Sequence, residues 1–143
     1  MKKALVTVDF KGNGQKVLTA AKNWAKAFDG KIILLNVDPI ELDNRSLEIE
    51  PVMAHHADDI KHQILLRLKA IEDELNEAAI PFRHVLKSGT PHEKILEVAE
   101  DENIDVIFMG LNKHSAAYRF LIGSVADQVI KKSKIPMMLI PNE

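Results

Sequence analysis

Residues 104–132 read IDVIFMGLNKHSAAYRFLIGSVADQVIKK. An apolar run, Ile104 to Met109, ends at Gly110; a polar, basic loop follows; and Gly123-Ser124 opens the amphipathic run Val125–Lys132. The pattern is strand, glycine loop, helix. Unpaired backbone N–H groups and the positive end of a helix dipole would meet where a phosphate could sit. Gly110 lets a ligand approach the main chain without a Cβ in the way. The stretch therefore predicts binding of an anionic ligand rather than its transformation.

Outward from this stretch, the apolar runs Ala4–Val8, Ile32–Val37, Phe82–Leu86 and Ile135–Ile140 join Ile104–Met109 as predicted strands. Most are continuous rather than alternating, as strands covered on both faces of a parallel sheet should be. Helical stripes lie between them. Val17, Leu18, Ala21, Trp24, Ala25 and Phe28 form the first, and Ile60, Ile64, Leu68, Ile71, Leu75 and Ala78 the second. Ile95, Leu96 and Ala99 make a third, and Val125, Val129 and Ile130 a fourth. Gly30 reads as the stop of the first helix. Thr90-Pro91 reads as N-cap and first turn of the third, with Glu93 completing a capping box. Pro136 falls at the start of the last strand. Alternation of β and α predicts an open, doubly wound α/β fold: a five-stranded parallel sheet with helices on both faces, in one domain spanning 1–143. Ligands of such sheets sit beyond the carboxyl ends of the strands, where strand order reverses. Asp9 and Gly110 would flank that crevice.

The 143 residues can bury roughly 68–70% of their unfolded surface. A formal charge of −2 offers no general attraction to nucleic acid or an anionic membrane. The absence of cysteine excludes disulfides and thiol chemistry. Asp9 breaks the N-terminal apolar run too early for a secretory segment, and no run approaches the ~18 apolar residues of a membrane span. A cytoplasmic protein is expected. Asp38 to Glu50 form a polar, acidic connection.

Several landmarks carry a family resemblance: Val8-Asp9-Phe10, Leu34-Leu35-Asn36-Val37, Ser88-Gly89-Thr90-Pro91, and Gly123-Ser124-Val125-Ala126-Asp127-Gln128-Val129-Ile130 leading to Ile135-Pro136. The chain resembles a universal stress protein (UspA-like) domain over nearly its whole length. Nucleotide-binding members have Gly, two residues, Gly, nine residues, then Gly-Ser or Gly-Thr. Gly110, Lys113 and Gly123-Ser124 keep that spacing, with lysine in place of the second glycine. Lys113 could crowd the phosphate with its Cβ and stem, or pair with it through its ammonium group. Lys11 also departs from the small hydroxyl residue common in binders.

The resemblance implies an adenine nucleotide alpha-hydrolase-like sheet of order 3-2-1-4-5, holding ATP or AMP. It implies an adenosine pocket near Thr7, Val8, Asp9 and the backbone of Val37. Met109, Gly110 and Leu111 would approach the ribose and first phosphate. Gly123, Ser124 and Val125 would hold the outer phosphates, with Lys113 and His114 as further contributors. It also implies a homodimer paired through the last strand: Pro136, Met137, Met138, Leu139 and Ile140. Mg²⁺ bridging Asp9 and phosphate oxygens is compatible with that ion's habits.

Plainer readings stand beside these. Gly123-Ser124 can be a turn and an N-cap, and Asp9 a polar strand end. Arg119 reads as part of a solvated loop, and Trp24 as core. His55, His56 and His62 do not follow a zinc spacing. Pro141-Asn142-Glu143 can simply guard the last edge. The function expected is a homodimeric, nucleotide-binding regulatory module in stress response, with an unidentified regulatory protein as partner. The alternatives are a nucleotide-free dimeric interaction protein of the same fold, and a slow ATPase. No general base stands beside a nucleophile, so an enzyme is not expected.

Overall fold

A computed structural model describes residues 1–8, 14–38, 51–111 and 124–141, with side chains in the second helix from His62 onward. The elements alternate as expected. They are β1 (Lys3–Thr7), α1 (Gly14–Phe28), β2 (Lys31–Asp38), α2 (Pro51–Glu77), β3 (Phe82–Ser88), α3 (Pro91–Asp101), β4 (Val106–Leu111), α4 (Ser124–Lys132) and β5 (Met137–Pro141). One sheet runs β3-β2-β1-β4-β5 with every pairing parallel. The expected order 3-2-1-4-5 is the observed one.

The period of two along each strand divides the interior into two cores. Ala4, Val6, Ile32, Leu34 and Phe108 face α1 and α2, meeting Val17, Leu18, Ala21 and Leu75. Leu5, Ile33, Leu35, Ile107 and Met109 face α3 and α4, meeting Ile95, Val98, Ala126 and Val129. Because helices cover both faces, the inner strands are apolar at consecutive positions. The edge strands β3 and β5 alternate instead between half-buried and exposed.

α1, α2 and α3 end by one device. Asp29, Ala79 and Asn103 adopt left-handed φ of 54°, 56° and 55°. The next residue then donates its N–H five residues back: Gly30 to Ala25 O at 2.8 Å, Ile80 to Leu75 O at 3.0 Å, Ile104 to Ala99 O at 3.0 Å. Gly30 does follow the first helix, and the left-handed residue of that stop is Asp29. Gly30 serves close approach, since a Cβ there would lie 2.6 Å from Trp24 Cζ3 and 3.2 Å from the Lys2 carbonyl oxygen. Conformational freedom is used at Gly89 (φ 142°), whose N–H closes on Asp38 O at 2.9 Å.

Other boundaries move slightly. Thr90 is the N-cap of α3, but its side chain makes no cap bond; its carbonyl takes the first helical bond, from Lys94 N–H at 3.0 Å. β4 starts at Val106 because Asp105 is committed to Lys3. Asp105 Oδ2 accepts the Lys3 backbone N–H at 2.7 Å, and its own N–H goes to Lys3 O at 2.8 Å. β5 starts after Ile135, which exchanges bonds with the Ser133 hydroxyl. Two members of the apolar stripes, Phe28 and Ile130, lie exposed at helix rims. In α4 the buried positions are Ala126 and Val129. Trp24 packs on the core, edge-on to Phe108.

Candidate functional site

Strand order reverses between β1 and β4, and there the sheet opens. The β1–β4 ladder ends at Val6 opposite Phe108. Its neighbours run on: β1 stays with β2 through Thr7 opposite Leu35 and then Val8 N–H to Leu35 O at 2.9 Å. β4 stays with β5 through Leu111 opposite Pro141. A notch therefore forms beyond Val6 and Phe108, with Thr7 and Val8 on one lip and Met109 and Gly110 on the other. The Thr7 hydroxyl spans its base with a long bond to Phe108 O at 3.4 Å.

Of the sequence-predicted residues, the fold brings Thr7, Val8, Val37, Met109, Gly110 and Leu111 to the carboxyl edge of the sheet. Met109 is buried in the core beneath α3 and α4, whereas Gly110 and Leu111 are half-buried. α4 opens at the same edge with Ser124 exposed and Val125 half-buried. First-turn N–H groups of a helix lack intrahelical partners. Asp127 in that turn would oppose an anion, but its carboxylate is held by Lys131 at 3.0 Å. Asp9, Lys113, His114 and Gly123 lie outside the described residues, and so does the expected magnesium position at Asp9.

A cleft of about 280 Å³ adjoins the notch on the α1/α2 side. Val6, Thr7 and Val8 form its floor, Gly14, Gln15 and Leu18 one wall, and Arg67, Ala70, Ile71 and Glu74 the other. At the polar end Glu74 Oε1 receives Lys22 Nζ at 2.9 Å and Gln15 Nε2 at 3.2 Å. Sequence reasoning missed Gln15, Arg67 and Glu74. The signal was present: 67, 70, 71 and 74 share one helical face, but its charged ends read as solvent-facing.

Among the described residues no three His, Asp or Glu side chains converge as a metal site would need. His62 is exposed, and the side chains of His55 and His56 lie outside the described set. No helix among the described residues is long and apolar enough to cross a membrane. β5 is an edge of the sheet, with Met138 46% exposed and Met137, Leu139 and Ile140 half-buried. Pro136 precedes the strand and is exposed.

Residues 1–141 match the Universal stress protein family. Universal stress protein MJ0577 of Methanocaldococcus jannaschii is 27% identical over 152 residues, covering 97% of this chain and 94% of the relative. A solved structure of MJ0577 superposes with a TM-score of 0.79 at 27% identity, covering 99% of this chain and 96% of the other. A universal stress protein in complex with cAMP gives a TM-score of 0.69 at 19% identity, covering 99% and 98% of the two chains. A family protein from Arabidopsis thaliana with AMP bound gives 0.71 at 16%, covering 100% and 93%. At those identities the last two likenesses speak for the fold alone. With the family matched from end to end and the sheet in the expected order, this chain belongs to the universal stress protein family.

Proposed function

We propose that the protein is a regulatory module that binds an adenine nucleotide, AMP or ATP, at the notch between β1 and β4. The observation that carries this reading is the early end of the β1–β4 ladder at Val6 and Phe108 while both flanking ladders continue. That opening exposes main chain at Gly110, where no Cβ blocks approach. The start of α4 at Ser124 supports it by adding first-turn N–H groups that lack intrahelical partners at the same edge. Two proteins of this fold, one described with cAMP and one with AMP, lend further support.

In this reading Thr7, Val8, Asp9 and Val37 surround the adenosine, and Met109, Gly110 and Leu111 the ribose and first phosphate. Gly123, Ser124 and Val125 take the outer phosphates, with Lys113 and His114 beside them and Mg²⁺ at Asp9 when ATP is bound. The module works as a homodimer through β5 in the cytoplasm, and nucleotide occupancy changes the surface offered to a regulatory protein. It is a binding protein rather than an enzyme. Should slow ATP hydrolysis accompany binding, Asp9→Ala or Ser124→Ala is expected to abolish it, and unchanged turnover would reject those assignments.

The test is direct. Protein purified without added ligand is denatured and its supernatant analysed by mass spectrometry for adenine nucleotides, and thermal unfolding is followed with and without AMP. Saturation at a hundred times Kd should stabilise the fold by about 2.7 kcal/mol. A nucleotide-free preparation with no AMP- or ATP-induced shift would leave the interaction-protein reading, with Lys113 closing the pocket.

A further inference from the structure

We infer that the outer edge of β3 is a docking site for an extended segment of a partner protein, one that alternates apolar and acidic residues and adds a strand to the sheet. This edge gives the regulatory partner of the reading above a place to bind. It rests on that part of the reading and not on the nucleotide.

β3 borders the sheet, and among the described residues no strand lies on its outer side. Its seven residues pair with β2 in unbroken register, from Phe82 opposite Ile32 to Ser88 opposite Asp38, so no bulge bends the edge away. Pro81 O accepts Ile32 N–H at 2.9 Å, and Gly89 N–H reaches Asp38 O at 2.9 Å. In a parallel ladder the odd-numbered residues between them also bond inward, which turns the N–H and C=O groups of Phe82, His84, Leu86 and Ser88 outward. An extended chain can pair with such a row. The two faces beside it differ. On the α2 face Leu86 is 62% exposed and Leu65 54%. Leu65 shares its helical stripe with Glu72, which sits 3.9 Å from His84, so both leucines flank the same edge. The α3 face carries Arg83 and Lys87. Arg83 is paired with Glu102, while Glu97, the carboxylate nearby that feels Lys87, is held by Lys94 at 3.0 Å. Lys87 therefore has charge to offer an incoming acid. Side chains of an added strand alternate in direction, so apolar residues would meet Leu86 and Leu65, and acidic ones Lys87. A second copy fits worse: paired antiparallel along the whole of β3, it would set Arg83 opposite Lys87, like charge against like.

The test titrates the full chain into a fluorescent synthetic peptide of alternating valine and glutamate, about as long as β3, and follows anisotropy. Saturable binding is expected, with backbone amide shifts in NMR gathered on β3. Methylating the peptide's amide nitrogens should abolish it, because the new ladder is then lost. Leu86→Ser, at an exposed position that the fold does not need, should weaken binding about tenfold. Lys87→Glu should weaken it about fivefold and strengthen binding of the matching valine–lysine peptide, a gain that only a folded variant can show. Failure of wild type to bind the glutamate peptide, equal affinity for the lysine peptide, shifts gathered on β5, or unchanged binding by both variants would overturn the docking site and leave nucleotide binding standing. Loss of self-association in Leu86→Ser, read by sedimentation, would assign the edge to a second copy and overturn it as well. Absence of AMP and ATP binding would overturn the nucleotide reading and leave this site untouched.

Discussion

Lys22 on α1 and Glu74 on α2 meet at 2.9 Å across the mouth of the cleft, with both side chains mostly screened from water. Gln15 donates to the same carboxylate oxygen, so one acidic group in the last turn of α2 holds both the start and the middle of α1. This contact sets the width of the cleft between them.

Lys22→Met keeps the aliphatic stem and removes the charge. It is expected to lower stability by about 1 kcal/mol, the upper end for an ion pair that is not fully buried. Urea denaturation should show a lower midpoint with an unchanged slope. An unchanged midpoint would mean that the pair contributes nothing to the fold.

Gly30→Ala is expected to destabilise by about 1–3 kcal/mol, the usual range for overpacking. The added methyl would lie 2.6 Å from the Trp24 ring, while the Lys2 carbonyl that receives Lys31 N–H at 2.8 Å closes the other side. Tryptophan fluorescence should report the displacement alongside the stability loss. A neutral substitution with an unmoved emission spectrum would contradict this packing.

Ala79→Gly should stabilise. Alanine at φ 56° carries steric strain that glycine lacks, partly offset by the greater freedom of glycine in the unfolded chain. A net gain of about 0.5–1 kcal/mol, or roughly 2–4 °C in Tm, is expected. Calorimetry would check it, and a fall in Tm would show the turn to be unstrained.

The Glu97 carboxyl is held below the ordinary glutamate range, first by its hydrogen bond from Lys94 at 3.0 Å and then by that ammonium's charge. A depressed folded pKa stabilises above the unfolded value and is lost as pH falls through the folded one. An NMR titration should place Glu97 low in wild type and raise it toward the ordinary range in Lys94→Met, with the weaker pull of Lys87 remaining. A Glu97 that titrates identically in both proteins would break the assignment.

Met138→Lys puts a charge on the exposed face of edge strand β5, a common guard against strand pairing. If the proposed homodimer pairs there, sedimentation should find wild type dimeric and the variant monomeric at unchanged helical content. A dimeric variant would move the interface elsewhere.

Legibility followed sequence distance. The runs Ile32–Val37 and Ile104–Met109 revealed buried strands because both faces are covered, and Gly110 marked the lip of the notch. Thr90-Pro91 marked the start of α3, although the Thr90 side chain stays out of the cap. Gln15 and Glu74 passed unnoticed because each looks solvent-facing on its own helix. They meet 59 positions apart only when α1 and α2 lie side by side.

By itself the sequence determined the alternation of strands and helices, the parallel sheet and its order through family resemblance, and the carboxyl edge as the place for a ligand. These depend on local periodicity and on short glycine and proline signals that any window of the chain displays. Packing in three dimensions was needed to stop the β1–β4 ladder at Val6 and Phe108, to turn the chain at Asp29, and to set Glu74 against Lys22 and Gln15. Such features arise from how separately formed elements pack. Their energies live in contacts between distant residues, which no local pattern encodes.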